Sequence, residues 1–163
     1  MSHQPRGLAF SRQVPALIGW VALCLVTELS GVAFLPGRWY AHLQKAPWTP
    51  PSYLFAPVWT VIYLTMAVAA WLVWRHGGFR AQRLPLSLFL VQLAVNGVWS
   101  FICFRLHNLP LSVVDMTLLW ALVASTTRLF FKVDALAGSL MSVYLLWISF
   151  AASLNVALWF LNR

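Results

Sequence analysis

The chain is 163 residues long, 61% hydrophobic and only 9% charged, with a formal net charge of +8. A soluble domain carries about 25% charged residues, so this composition excludes a soluble fold, which could not cover so apolar an interior. The basic residues stand singly between apolar stretches, which excludes the Lys/Arg patch of a nucleic-acid surface and places them at membrane boundaries.

The N-terminal segment to Gln13 carries Arg6 and Arg12 and no acid. The apolar run that follows, 14–35, is too long for a signal-peptide core and lacks an A-x-A cleavage site, so it reads as a first membrane helix. Trp20, Cys24, Glu28 and Gly31 share one of its faces. Glu28 is ionisable inside a span and must be compensated by Arg38, by protonation, or by a hydrogen bond to a neighbouring helix. The link 36–51 holds Pro36, Pro47, Pro50 and Pro51 and cannot be helical throughout. Such backbone belongs at the interface or over the mouth of the bundle. His42 within it reads as a loop imidazole rather than an iron ligand.

The second span, 52–74, sets Trp59, Tyr63, Met66 and Ala70 on one face. In the third, 84–105, Gln92, Asn96 and Ser100 recur at i, i+4 and i+8, flanked by Trp99 and Cys103. The fourth, 110–131, opens with Asp115 near Arg105 and His107, the position of a helix-end neutraliser. Asp134 reads as an N-terminal cap or first-turn acid of the fifth span, 135–161, where Tyr144, Trp147, Ala151 and Asn155 share a side. There is no ten-residue alternation of a β-barrel and no internal repeat of a transporter. The expectation is an all-α integral membrane protein, one domain built as a five-transmembrane-helix bundle.

Apolar side chains can face lipid at no cost, so polar and small residues identify the interior. Superimposing the four faces makes that interior rich in indole, phenol and amide groups, which suits a flat hydrophobic ligand such as a tetrapyrrole. Trp59, Trp99, Trp120 and Trp147 lie deep in their spans, where ligand contact and plain packing are both open; Trp39, Trp48, Trp74 and Trp159 lie near span ends, as belt residues do. Asn96 and Asn155 could equally serve as interhelical glue. Cys24 and Cys103 fall inside apolar stretches and read as small core residues.

No H-E-x-x-H, C-x-x-C, G-x-S-x-G or Walker pattern occurs, and the histidines His3, His42, His76 and His107 are scattered. Neither a metal site nor a hydrolytic triad is expected, no catalytic residue is assigned with certainty, and no cofactor is required. Three acids in the whole chain cannot form a carboxylate relay for proton-coupled transport. Arg6, Arg12, Arg75, Arg80, Arg83, Arg128 and Lys132 fall on the side of the N-terminus, against Arg38, Lys45, Arg105 and Arg163 on the other, which predicts a cytoplasmic N-terminus.

The stretch WYAHLQKAPWTPPSYLFAPVWTVIYLTM, Trp39 to Met66, resembles the tryptophan-rich sensory protein / translocator protein family, once called the peripheral benzodiazepine receptor. Its W-Y-x-x-L-x-K-P-x-W-x-P-P-x-x-x-F-x-P-V-W-T pattern is present with one residue, Ala46, inserted between Lys45 and Pro47. QLAVNGVWSFICF from Gln92 to Phe104, Leu119–Trp120, and YLLWISFAASLN from Tyr144 to Asn155 are similar to the third, fourth and fifth helix signatures. The resemblance implies a five-helix bundle, often a homodimer, that binds porphyrin or haem and benzodiazepine-site ligands beneath the first link. It implies a site lined by Tyr40, Pro50, Trp59, Tyr63, Asn96, Trp99, Ser100, Trp147 and Ala151.

The implied role is to sense, sequester or hand on tetrapyrroles in a bacterial cell membrane, and the same features fit a mitochondrial address. Two rival roles stay open. One is light-dependent porphyrin degradation, which would use the oxidisable rings of Trp59 and Trp147; the other is porphyrin transport. Val143 stands where the family usually has proline, which predicts a straighter fifth helix. Tyr144 has no Lys or Arg within reach, so a sterol motif is not formed there; Leu35, Tyr40 and Lys45 satisfy that weak pattern formally in the first link. Sterol transport is not expected.

Overall fold

The computed structural model describes residues 10–163, with side chains from Gln13 onward; His3, Arg6 and the Arg12 side chain lie outside them. Among the described residues five helical segments are long and apolar enough to cross a bilayer, and no strand occurs. Helix α1 spans Phe10–Ala33, beginning before the predicted span and ending short of it. The first link contains a single short helix, α2 (Arg38–His42), before its prolines return the chain to extended backbone. A 3-10 turn at Ser52–Leu54 leads into α3 (Phe55–Trp74).

The second link turns through Gly77 and Gly78, both at positive φ (103° and 66°), where a Cβ would be strained. A short helix α4 (Gly78–Ala81) follows, then α5 (Arg83–Ser100), which continues as a wide π turn over Phe101–Arg105. Helix α6 (Leu109–Val133) starts at Asn108, whose side-chain oxygen accepts from the Leu111 N–H at 3.0 Å, with Pro110 in the first turn. Helix α7 (Ala135–Leu161) is unbroken, and Val143 on it faces outward.

One residue, Asp134, joins the last two helices. Its N–H donates to the Phe130 carbonyl at 2.8 Å and its carboxylate accepts from the Ala137 N–H at 3.0 Å, so it closes one helix and caps the next. The turn demands glycine four residues on: a Cβ at Gly138 would lie 2.3 Å from the Phe131 ring.

Around the bundle the order is α1, α3, α7, α6, α5 and back to α1, with the most extensive packing between α6 and α7. Two cross-links fix which links share a side. His76 in the second link meets Asp134 at 3.3 Å, and Gln44 in the first link exchanges two hydrogen bonds of 2.9 Å with Asn162. At the His76 end the interior is filled by rings: Trp20 meets Phe89 edge-on at 5.6 Å, and Phe89 stacks on Phe130 at 5.9 Å. Cys24 and Cys103 are buried free thiols.

Candidate functional site

Toward the first link the interior changes character. The α3 face carries Trp59 and Tyr63 one turn apart, their rings 5.7 Å from centre to centre. From α7, Trp147 meets Trp59 edge-on at 6.2 Å and 87°, and Tyr144 meets it at 6.4 Å. Between them stands Asn96 of α5. The Tyr63 hydroxyl donates to its Oδ1, and its Nδ2 donates to the Tyr144 hydroxyl at 2.7 Å. One amide thus ties three helices together and leaves the Trp59 and Trp147 faces only partly covered.

Phe55 and Phe150 extend the cluster, with rings 6.2 Å and 5.5 Å from Trp147. A second group lies nearer the link: Tyr40 of α2 meets Phe104 at 5.4 Å, and Phe104 meets Trp99 at 5.4 Å. Trp99 also packs against the main buried core as well as the smaller cluster around Cys103, Leu109 and Leu158. The indole N–H groups of Trp99 and Trp147 are buried and find no hydrogen-bond partner among the described residues. Such donors almost always have one when buried.

The nine residues named from the sequence therefore sit unequally. Trp59, Tyr63, Asn96 and Trp147 form one contact group, and Tyr40 and Trp99 meet through Phe104. Ala151 packs at the edge of the main core, and Ser100 is buried where α5 approaches Gly31 of α1. Pro50 is half-buried in the link without a ring contact to the others. Tyr144 was legible as part of the α7 face but not as the second anchor of Asn96. Phe104 was missed because its direction depends on the π turn, which no spacing in the sequence announces.

The first link is held across the bundle end from several sides. Trp39 stacks on His107 at 4.2 Å, a histidine at positive φ (53°), and Gln44 is clasped by Asn162. Lys45 folds back, its Nζ donating to the carbonyls of Tyr40, Ala41 and Leu43 and lying 4.8 Å over the Tyr40 ring. The lysine of the formal sterol pattern is thereby spent on capping α2. Inserted Ala46 packs inward, and its carbonyl accepts from the Thr49 N–H at 3.0 Å, so the extra residue is absorbed in a turn. His42 Nδ1 donates to the Arg38 carbonyl at 2.6 Å. Burial, with the neighbouring Cys103 thiol second, pushes the Tyr40 phenol above its ordinary pKa.

At the other polar positions the structure selects among the alternatives left open for Glu28 and Asn155 and departs from expectation at Asp115 and Trp120. Glu28 does not pair with Arg38; its Oε1 accepts from the Thr60 hydroxyl at 2.6 Å, the hydrogen bond to a neighbouring helix. Asp115 meets neither Arg105 nor His107, and its buried Oδ2 has no partner. Gln92 is fully buried with both amide atoms unpartnered, whereas Asn155 bonds Ser112 at 3.0 Å as interhelical glue. Trp120 lies on the outer surface and donates to Ser149 at 2.9 Å. Depth along an apolar helix does not tell inward from outward when lipid is the solvent.

The TspO/MBR family profile matches residues 14–160. Protein CrtK of Rhodobacter capsulatus is 36% identical over 143 residues, covering 85% of this chain and 88% of that protein. The translocator protein of Homo sapiens is 39% identical over 124 residues, covering 75% and 73%. The tryptophan-rich protein TspO of Chlorobaculum tepidum is 34% identical over 156 residues, covering 93% and 99%.

Proposed function

Because this chain belongs to the TspO/MBR family, an integral multi-pass membrane protein of that kind, we propose that it binds porphyrins and senses, sequesters or hands on tetrapyrroles. The observation that carries the reading is the pair Trp59 and Trp147, edge to face and half-buried, beside two buried indole N–H groups without partners. Partly covered indole faces offer stacking area to a flat ring, and N–H donors without protein acceptors suit its carboxylates or carbonyls. The Tyr63–Asn96–Tyr144 chain ties the three helices together and fixes the orientation of the ring faces they carry. The first link closes over this end, and the N-terminal side, richer in Lys and Arg, is assigned to the cytoplasm.

The test is a protoporphyrin titration followed by the porphyrin absorbance band. Trp59→Phe with Trp147→Phe should weaken binding about tenfold, from two ring contacts at about 0.5 to 1.5 kcal/mol each. Unchanged affinity would remove both tryptophans from the site.

A second reading, light-dependent oxidative breakdown of the bound porphyrin by dioxygen, is favoured by the contiguity of Trp59, Trp147, Tyr63 and Tyr144 as oxidisable rings. Illumination in air should then bleach the porphyrin only with protein present, and not with the double Phe variant. Bleaching at the same rate without protein rejects it.

A further inference from the structure

At the end of the bundle away from the aromatic site, a cleft of about 420 Å³ is lined by Phe79, Arg80, Arg83 and Ser87. Arg80 and Arg83 are exposed and make no hydrogen bond or ion pair with any described residue. Their neighbours cannot neutralise them. Asp134, the acid at this end, is engaged by His76 and by the Ala137 N–H, and Arg75 lies 4.9 Å over the Trp71 ring.

Ser87 adds an independent sign. Serine and threonine hydroxyls along the other helices, such as Thr27, Ser125, Ser139 and Ser149, return to the backbone carbonyl four residues earlier. Ser87 makes no such bond, and its hydroxyl borders the cleft without a partner among the described residues. The position is also informative. The third span runs Arg83–Arg105, so the arginines stand at its polar edge and Ser87 one turn inside the hydrocarbon. Phe79 is stacked on Trp20 at 6.1 Å yet 43% exposed, and Leu84 is 60% exposed, so apolar surface flanks the charges.

We propose that this cleft binds the phosphodiester headgroup of an anionic phospholipid. Arg80 and Arg83 hold the phosphate, Ser87 donates to a phosphate or ester oxygen, and Phe79 and Leu84 lie along the acyl chains. Guanidinium groups without carboxylate partners are matched to phosphate oxygens by their fork of donors, and basic pockets at the bilayer edge recognise such headgroups. A small free anion would use the arginines alone; the serine below them and the apolar flanks match a ligand that continues into the bilayer.

The full-length protein in detergent, analysed by native mass spectrometry with equimolar phosphatidylglycerol and phosphatidylcholine, tests the site. Phosphatidylglycerol should be retained selectively. Arg80→Gln with Arg83→Gln should weaken that retention about fivefold per arginine, the equivalent of about 1 kcal/mol for each basic residue. Arg128→Gln with Lys132→Gln removes the same charge from the same side and should leave it nearly unchanged. A circular-dichroism melt like that of the wild type shows each variant folded. Equal retention of the two lipids, equal losses from the two double variants, or displacement by millimolar inorganic phosphate would each overturn the proposal.

Discussion

The two ends of the bundle use the same kind of residue to opposite effect. At the end of the second and fourth links Trp20, Phe89 and Phe130 interlock, with Phe89 and Phe130 fully buried. At the end of the first link Trp59, Trp99 and Trp147 touch one another or their neighbours yet remain only half-buried, and two of their N–H groups go unanswered. Aromatic content alone therefore does not mark a binding region. What distinguishes the two is whether the rings satisfy each other.

The strongest way to break this contrast is to truncate a ring at each end. Phe89→Ala should cost about 3 to 5 kcal/mol by leaving a buried cavity, whereas Trp147→Ala should cost clearly less; denaturant unfolding in micelles that gives equal losses would erase the distinction. Next in size, Gly138→Ala drives a methyl into the Phe131 ring and should cost about 1 to 3 kcal/mol. Adding Phe131→Ala should recover most of that loss in the same unfolding assay.

Asn96→Leu probes the open end: it removes two interhelical contacts, about 1 kcal/mol in all at membrane values. Porphyrin affinity should fall further than stability does, and the reverse ranking would make Asn96 mere glue. The smallest effect is expected at Asp134. Partial burial pushes its carboxyl up, but hydrogen bonds from the Ala137 N–H, His76 and the Leu136 N–H outweigh this and hold it below the ordinary range. A lowered folded value means that its stabilisation is complete above the ordinary aspartate pKa of about 3.9 and is lost as pH falls through the folded value. The loss should be about 0.3 to 1 kcal/mol, the worth of a charge at a helix N-terminus. Asp134→Asn, still a good cap, should flatten that acid limb of the stability curve.

Much of this was readable in the sequence because the bilayer simplifies the problem. Continuous apolar runs define five spans, and an amide side chain within one is costly against lipid, so Gln92 and Asn96, with Ser100 at the same spacing of four, are all buried. The spacing could not say who answers them: Asn96 is satisfied by tyrosines from two other helices, while Gln92 one turn away is satisfied by neither. Glu28 with Thr60 and His76 with Asp134 are likewise long-range pairings that no local pattern encodes. Trp120 shows the other blind spot, since an indole on the outer surface at mid-span costs nothing in lipid and leaves no trace in hydropathy.

The one-residue joint at Asp134 couples the last two helices mechanically. With α6 ending at Val133 and α7 beginning at Ala135, neither can slide or turn about its axis in the folded protein without unwinding the end of the other. Lengthening that joint with a few glycines would loosen this coupling.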